Sequence, residues 1–133
     1  MSPAGMWIST VTRGPDRHIL YWQAGVAGGV VEEWANGTGS WQQVAVHGQA
    51  EHGLASIIDV WFGADGLRAI MLAQLAGATT QQMVYVDRAA VGTSFNQAVP
   101  LPGVPLVSDA FVTEDCGRIY MSGLATLFYE QQE

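Results

Sequence analysis

The feature that most constrains the fold of this chain is a strand–turn–strand pattern that occurs three times. Its copies read ISTVTRGPDRHILYWQ from Ile8, IDVWFGADGLRAIMLAQ from Ile58 and SDAFVTEDCGRIYMSG from Ser108. In each copy a polar turn containing Gly and Asp separates two runs of β-branched, aromatic and other apolar residues, which is the pattern of a β-hairpin. A pattern that returns at a fixed spacing predicts a chain built from similar β units.

The copies are spaced 50 residues apart. Two positions mark the spacing, namely the residue that opens the second run and one point before the turn. They are occupied by His18, Arg68 and Arg118, and by Ser9, Asp59 and Asp109. Trp7, Trp61 and Phe111 lie at the matching start of the three copies, so we expect all three aromatic side chains to be largely buried.

Further apolar runs follow each hairpin and predict additional strands. A third run begins at Val30, Gln82 and Ala125 in the three copies, and a fourth begins at Ser40 and Ser94 in the first two copies. The segment GLRAIMLAQLAG has good helix formers, but we interpret it as a strand because its counterparts in the other copies cannot be helical.

We therefore expect a single all-β domain over residues 1–133. Its units are 1–50, 51–103 and 104–133, each a four-stranded antiparallel sheet, with the last one incomplete. The copy SDAFVTEDCGRIYMSG resembles the repeat of TolB-like and WD-like β-propellers, and DVWFGADGLRAIMLA is similar. The resemblance implies that each unit is a propeller blade and that the protein serves as a binding scaffold. A β-sandwich or a barrel is the alternative fold.

The number of units raises a problem of closure for a propeller. A propeller ring needs roughly four to eight blades, and fewer than three complete units are present. An open stack would expose β edges and an apolar face. We therefore expect either a piece of a longer protein or a homo-oligomer, with a dimer favoured because two copies would supply six units.

A second, local resemblance concerns the segment EEWANGTGSW. It is similar to strands of fucose-binding propeller lectins, in which a Glu and an Arg hydrogen-bond the sugar while a Trp stacks on it. The resemblance implies that Glu33, Trp34 and Trp41 bind a glycan. The alternative is that Trp34 is the apolar residue of its own blade, as Val86 is in the second unit.

Two groups of polar residues offer other chemistry. Asp59 and Asp109 recur at one repeat position and could line an acidic pocket of a small hydrolase or isomerase, although we favour a role in capping their own turns. His47, Glu51 and His52 lie in one short segment and could bind zinc, but we favour a solvated loop. We predict no metal and no cofactor.

Composition excludes several classes of function. The chain has 5 basic and 12 acidic residues and a net charge of −7, which disfavours nucleic acid and anionic membrane surfaces as partners. It shows no signal-peptide pattern and no apolar run of the roughly eighteen residues that span a bilayer, so the expected location is cytoplasmic by default. The sequence favours a non-enzymatic binding module with a protein or glycan ligand.

Overall fold

The computed structural model describes residues 6–11, 17–23, 30–36, 39–106, 109–113, 118–122 and 127–131. These residues form strands and loops, with one short 3₁₀ helix as the helical element of the described chain. The prediction of an all-β fold is therefore confirmed. The elements are β1 (Met6–Val11), β2 (Arg17–Gln23), β3 (Val30–Asn36), β4 (Gln42–Gly48), the 3₁₀ helix (Gln49–His52), β5 (Leu54–Phe62), β6 (Arg68–Leu75), β7 (Gln82–Asp87), β8 (Val99–Pro100), β9 (Asp109–Val112), β10 (Arg118–Ser122) and β11 (Leu127–Gln131).

The strands form three antiparallel sheets in which strands that follow one another in the chain are neighbours. The first sheet has the order β1-β2-β3-β4, the central sheet β5-β6-β7-β8 and the third sheet β9-β10-β11. Each sheet is open, because within the described chain its two outermost strands are paired on one side only. The three sheets lie within residues 1–50, 51–103 and 104–133, respectively.

The turn between β5 and β6 shows why the sequence forms a hairpin at this point. The backbone N–H of Gly63 donates to the carbonyl of Arg68 at 2.9 Å and closes the turn. Asp65 Oδ1 accepts the backbone N–H of Leu67 at 2.9 Å. Gly66 has a left-handed φ of 68°, which residues with a Cβ rarely adopt. Asp and Gly at these two positions therefore fix the hairpin.

The central and third sheets repeat the same hairpin register 50 residues apart. Trp61 pairs with Ile70 in the central sheet, and Phe111 pairs with Tyr120 in the third sheet. The closing hydrogen bond of the turn recurs at the same spacing, with the Thr113 N–H as its donor. The repeat seen in these two copies of the sequence is therefore also a repeat of backbone pairing.

The first hairpin departs from this register. A β-bulge between Ile8 and Thr10 leaves Ser9 without a partner residue on β2. Asp59 and Asp109, in contrast, each pair with a residue of the adjacent strand. The expectation that Ser9 is their counterpart is therefore wrong, because the bulge shifts the pairing of β1.

The central sheet is buried on both faces. We call the face toward the first sheet its front face and the face toward the third sheet its back face, and side chains alternate between the two along each strand. The front face packs against Val31 of the first sheet, and its members include Val60, Phe62, Ala69, Met71, Ala73, Val84 and Val86. The back face packs against Ala110, Ile119 and Met121 of the third sheet, and its members include Trp61, Ile70, Leu72, Met83 and Tyr85.

Burial on both faces explains the ambiguous segment GLRAIMLAQLAG. It forms strand β6, as predicted, and Ala69, Ile70, Met71 and Ala73 are all fully buried. A strand covered on both sides needs apolar residues at consecutive positions rather than at alternate ones. The resulting apolar run is as compatible with a helix as with a strand when the sequence is read alone.

The outer surfaces of the stack carry exposed apolar side chains. We apply the terms front and back to all three sheets in chain order, and we call the front face of the first sheet and the back face of the third sheet the end faces. Phe111, on the third sheet, is 59% exposed, whereas its counterpart Trp61 is partly buried. The expectation that Phe111 is buried is therefore wrong, because no described residue of the chain covers it. The Trp7 side chain lies outside the described part of the structure.

The fourth strand of the second unit is much shorter than its sequence suggests. The predicted strand began at Ser94, but β8 comprises only Val99–Pro100. The preceding residues form a loop, in which the backbone N–H of Asn96 donates to the carbonyl of Asp87 at 2.7 Å. This loop directs the side chain of Phe95 into the core. Among the described residues, no helix has the length and apolar character needed to cross a membrane.

Candidate functional site

A cluster of buried charged residues joins the first sheet to the central sheet. Glu33 on β3 is fully buried, and Arg88, which follows β7, is 5% exposed. Arg88 donates to Glu33 through both terminal nitrogens, with Nη1 to Oε2 at 2.6 Å and Nη2 to Oε1 at 3.1 Å. The His47 Nε2 atom lies 3.0 Å from Oε2, and the backbone N–H of Gly92 donates to Oε1 at 3.0 Å. The carboxylate is thus surrounded by donors from two sheets.

The guanidinium of Arg88 is itself held by the central sheet. Its Nε donates to the carbonyl of Gly66 at 2.8 Å, and Nη1 also donates to the carbonyl of Thr93 at 3.2 Å. The guanidinium carbon lies 4.5 Å from the centre of the Phe95 ring, a distance at which cation and ring attract each other. These contacts fix the planar group in the orientation that a two-pronged bond to a carboxylate requires.

Two histidines complete the cluster around Phe95. The ring centres of His47 and His52 lie 5.2 Å and 5.9 Å from that of Phe95, and both histidines contact its ring edge-on. His52 is 1% exposed, and within the described part of the chain neither of its ring nitrogens makes a hydrogen bond of good geometry. Burial lowers the pKa of His52 from its ordinary value of 6.5, although the nearby backbone of Phe95 and the charge of Glu51 oppose the shift. The prediction of a solvated loop here is wrong, because both histidines pack into the core.

The three residues of the glycan hypothesis lie in different environments. Glu33 points from the back face of the first sheet into the buried cluster, where its oxygens already accept four hydrogen-bond donors. Trp34 lies on the opposite face, half-buried, and its Nε1 donates to Glu32 Oε2 at 3.1 Å. Trp41, just before β4, is 41% exposed. The structure therefore separates Glu33 from the two tryptophans and places Glu32 beside Trp34.

Asp59 and Asp109 lie on strands that contact each other across the central and third sheets. Burial raises the pKa of the Asp59 carboxyl above its ordinary value, and the negative charge of Asp109 adds to the rise. Asp59 Oδ1 also accepts the backbone N–H of Val60 at 2.8 Å, a bond inside β5 rather than in the hairpin turn, which Asp65 caps instead. Asp109 is exposed at an open depression of about 190 Å³ that is also lined by Phe111 and Tyr120. The acidic-pocket hypothesis stays a prediction.

No group of three or more His, Cys, Asp or Glu side chains in the described ranges is arranged to hold a metal ion. His47 and His52, the candidate zinc ligands, have ring centres 6.4 Å apart, and the described contacts of His47 are with Glu33 and the Phe95 ring. The site is therefore best described as a buried ion pair with two accompanying histidines.

Sequence analysis alone did not identify the partners of Glu33. Arg88 follows directly after the strand sequence QMVYVD, so one of only five basic residues lies at the end of a strand that is buried on both faces. That placement is the signal that could have been used, because a buried cation requires an acidic partner. Gly92, in contrast, acts through its backbone and offers no signal in the side-chain sequence.

Comparison of the chain with known protein families, with curated proteins and with solved structures found no match.

Replacing Arg88 tests whether the buried ion pair holds the two sheets together. Arg88→Ala should lower the free energy of unfolding by about 3–5 kcal/mol, because it leaves the Glu33 carboxylate buried without its principal partner. Urea denaturation followed by tryptophan fluorescence measures this loss. The matched control is Arg68→Ala, which removes an ion pair with Asp65 whose side chains are 34% and 28% exposed and should cost about 1 kcal/mol or less. Equal losses in the two variants would contradict the assignment.

His52 should make the stability of the protein sensitive to acid. Its folded-state pKa lies below 6.5, so the unfolded chain binds a proton more readily than the folded chain. Stability from this residue is therefore fully present above pH 6.5 and is lost as the pH falls from 6.5 toward the folded pKa. His52→Leu fills a similar volume without a titrating group, so its melting temperature should fall less between pH 7 and pH 5 than that of the wild type. Identical pH profiles would show that His52 is not the titrating residue.

Proposed function

We propose that this chain is a non-enzymatic binding module on a propeller-like scaffold, and that its two end faces are its binding surfaces. The observation that carries the proposal is the contrast between the sheets. Both faces of the central sheet are covered by neighbouring sheets, whereas each outer sheet has one face with exposed apolar side chains that no other described residue covers. Exposed apolar patches of this kind mark interaction sites.

Three features support the propeller-like arrangement of the sheets. Each sheet is an antiparallel meander of consecutive strands, like a propeller blade. The sheets stack face to face in chain order, and the first strands of successive sheets contact each other, β1 with β5 and β5 with β9. Two of the hairpins share one register at a spacing of 50 residues.

The end faces are apolar enough to bind a protein surface. On the first sheet, Val46 pairs with Glu32 on the front face and is 49% exposed, and Val44 at the adjacent bulge is also 49% exposed. On the third sheet, Phe111 is 59% exposed and pairs with Tyr120, which is partly exposed. A partner that covers these side chains would remove apolar surface from water, the main source of affinity in protein association.

A fluorescent dye that binds exposed apolar surface, such as anilinonaphthalene sulfonate, tests this function. At the lowest protein concentrations, where no partner covers the end faces, the wild type should bind the dye. Val46→Glu and Phe111→Glu should each reduce the dye fluorescence and lower the free energy of unfolding by no more than about 1 kcal/mol, since both residues are exposed and only Val46→Glu adds a carboxylate opposite Glu32. Leu106→Glu, a control in the loop between the central and third sheets, should change neither. Absence of dye binding by the wild type would argue against the end faces as binding surfaces.

Carbohydrate binding is a second candidate, favoured by the exposure of Trp41 and by the hydrogen bond between Trp34 and Glu32. An indole can stack on the apolar face of a sugar ring while a nearby carboxylate accepts hydrogen bonds from its hydroxyls. In this version of the function Glu32 is the acceptor, because the oxygens of Glu33 are occupied in the buried cluster.

Titration with fucosides decides between the two candidates. The carbohydrate function predicts a saturable change in tryptophan fluorescence that disappears in Trp34→Ala and persists in Trp61→Phe, a change on the covered back face of the central sheet. A titration without any saturable change would contradict it and leave the interaction module as the function.

A further inference from the structure

The back face of the third sheet, which no described residue covers, matches a face of the central sheet against which a neighbouring sheet packs. Phe111 and Tyr120 pair in the same register as Trp61 and Ile70, 50 residues earlier in the chain. In the central sheet this register position lies on the back face, which is covered by the third sheet, and Ile70 is fully buried there. The back face of the third sheet therefore carries aromatic side chains at the same register positions, with Phe111 exposed and Tyr120 partly exposed.

The front face of the first sheet, which no other described sheet covers, corresponds to the face of the central sheet that packs against the first sheet. Trp34 lies opposite Glu33 in the alternation of β3 and therefore points to the front face. The corresponding strand of the central sheet, β7, presents Val84 and Val86 on its front face, and both are covered by the first sheet. In this fold the front face of a sheet thus packs against the back face of the sheet that precedes it in the chain.

We propose that the partner of each end face is a second copy of this chain, bound head to tail, with the back face of its third sheet on the front face of the first sheet of the next copy. The inference rests on the proposed function, in which the end faces are binding surfaces. It adds the identity of the partner and the direction of the contact. The contact continues across copies the order of stacking that the chain uses within itself.

The charges on the two end faces disfavour a contact between two first sheets. Glu32 lies on the front face of the first sheet, on the same side of β3 as Trp34. Arg118, exposed at the start of β10, lies two residues before Tyr120, and the exposed Asp109 lies two residues before Phe111, so both charges are on the back face of the third sheet. A contact between two first sheets would bring two copies of Glu32 together in a protein of net charge −7, whereas a contact between unlike faces sets Glu32 against a face whose described charges, Asp109 and Arg118, balance.

A contact between unlike faces has a consequence for assembly. Because each copy has one face of each kind, two copies can close a ring through two equivalent contacts, and copies that do not close continue into a filament. A contact between like faces would instead stop at a pair with a single shared interface. The two arrangements therefore differ in which substitutions break them.

Val46→Glu and Phe111→Glu, each made in a separate chain, test the proposal by static light scattering across a range of protein concentrations. Each variant alone should raise the concentration at which the wild-type assembly dissociates by at least about tenfold, because each places a charge in both contacts of a ring. An equimolar mixture should recover association, since the intact back face of the Val46→Glu chain can bind the intact front face of the Phe111→Glu chain. Leu106→Glu adds the same charge outside the end faces and should assemble like the wild type.

Three outcomes would overturn the proposal. Loss of association in Val46→Glu alone would indicate a contact between two first sheets, and loss in Phe111→Glu alone a contact between two third sheets. A wild type that stays monomeric at all concentrations would exclude a second copy as the partner. In that case, dye binding by the wild type that both variants reduce would still support the end faces as binding surfaces. A wild type that neither associates nor binds the dye would contradict the proposed function as well.

Discussion

The rest of this structure depends on the central sheet being apolar on both of its faces. Side chains of a β-strand alternate between two faces, so a sheet whose consecutive residues are all apolar must be covered on both sides. Strand β6 shows this most clearly, since Ala69, Ile70 and Met71 are adjacent in the chain and fully buried. The first and third sheets provide the two covers, and the stack of three layers follows from this requirement.

Apolar contact alone does not determine how one sheet is oriented on another, because flat apolar faces can pack in several alignments. The ion pair between Glu33 and Arg88 supplies the missing constraint. Both oxygens of the carboxylate accept donors at distances between 2.6 and 3.1 Å, from the guanidinium, from His47 and from the Gly92 backbone. Shifting the first sheet by one residue pair would leave a charge buried without its donors. The pair therefore contributes mainly to the orientation of the first sheet, while its net stabilisation is reduced by the desolvation of both ions.

The sequence predicted the parts of the fold that depend on local chemistry. Turns such as Asp65-Gly66 and runs of β-branched and aromatic residues gave the all-β class and most of the strands. The length of β8 was not predictable in the same way. Phe95 and Asn96 belong to a run with strand-like composition, but contacts with residues distant in the chain hold them in a loop, including the His47 and His52 rings on the Phe95 ring.

The candidate site was less predictable than the fold, for a related reason. The segment that contains Glu33 and Trp34 resembles a sugar-binding strand. In a β-strand, however, the side chains of two adjacent residues point to opposite faces of the sheet. Which face is buried depends on the central sheet, and the cation that pairs with Glu33 is 55 residues away in the sequence. The expectation of solvated histidines was wrong for the same reason, since His47 and His52 are buried by Phe95, whose position was itself unexpected.

Trp61 and Phe111 show that burial here is a property of the neighbouring layer rather than of the residue. The two side chains are aromatic, occupy the same register position and lie on the same face of their sheets. Only Trp61 is followed in the chain by a described sheet that covers it, and only Phe111 is 59% exposed. Both positions carry an aromatic residue, which is typical of an interior position. An aromatic side chain stabilises a face that is covered and raises the free energy of a face that is exposed to water. A face that carries such a residue and that no described residue covers is suited to packing against another layer, and the proposed head-to-tail contact would supply the front face of a first sheet as that layer.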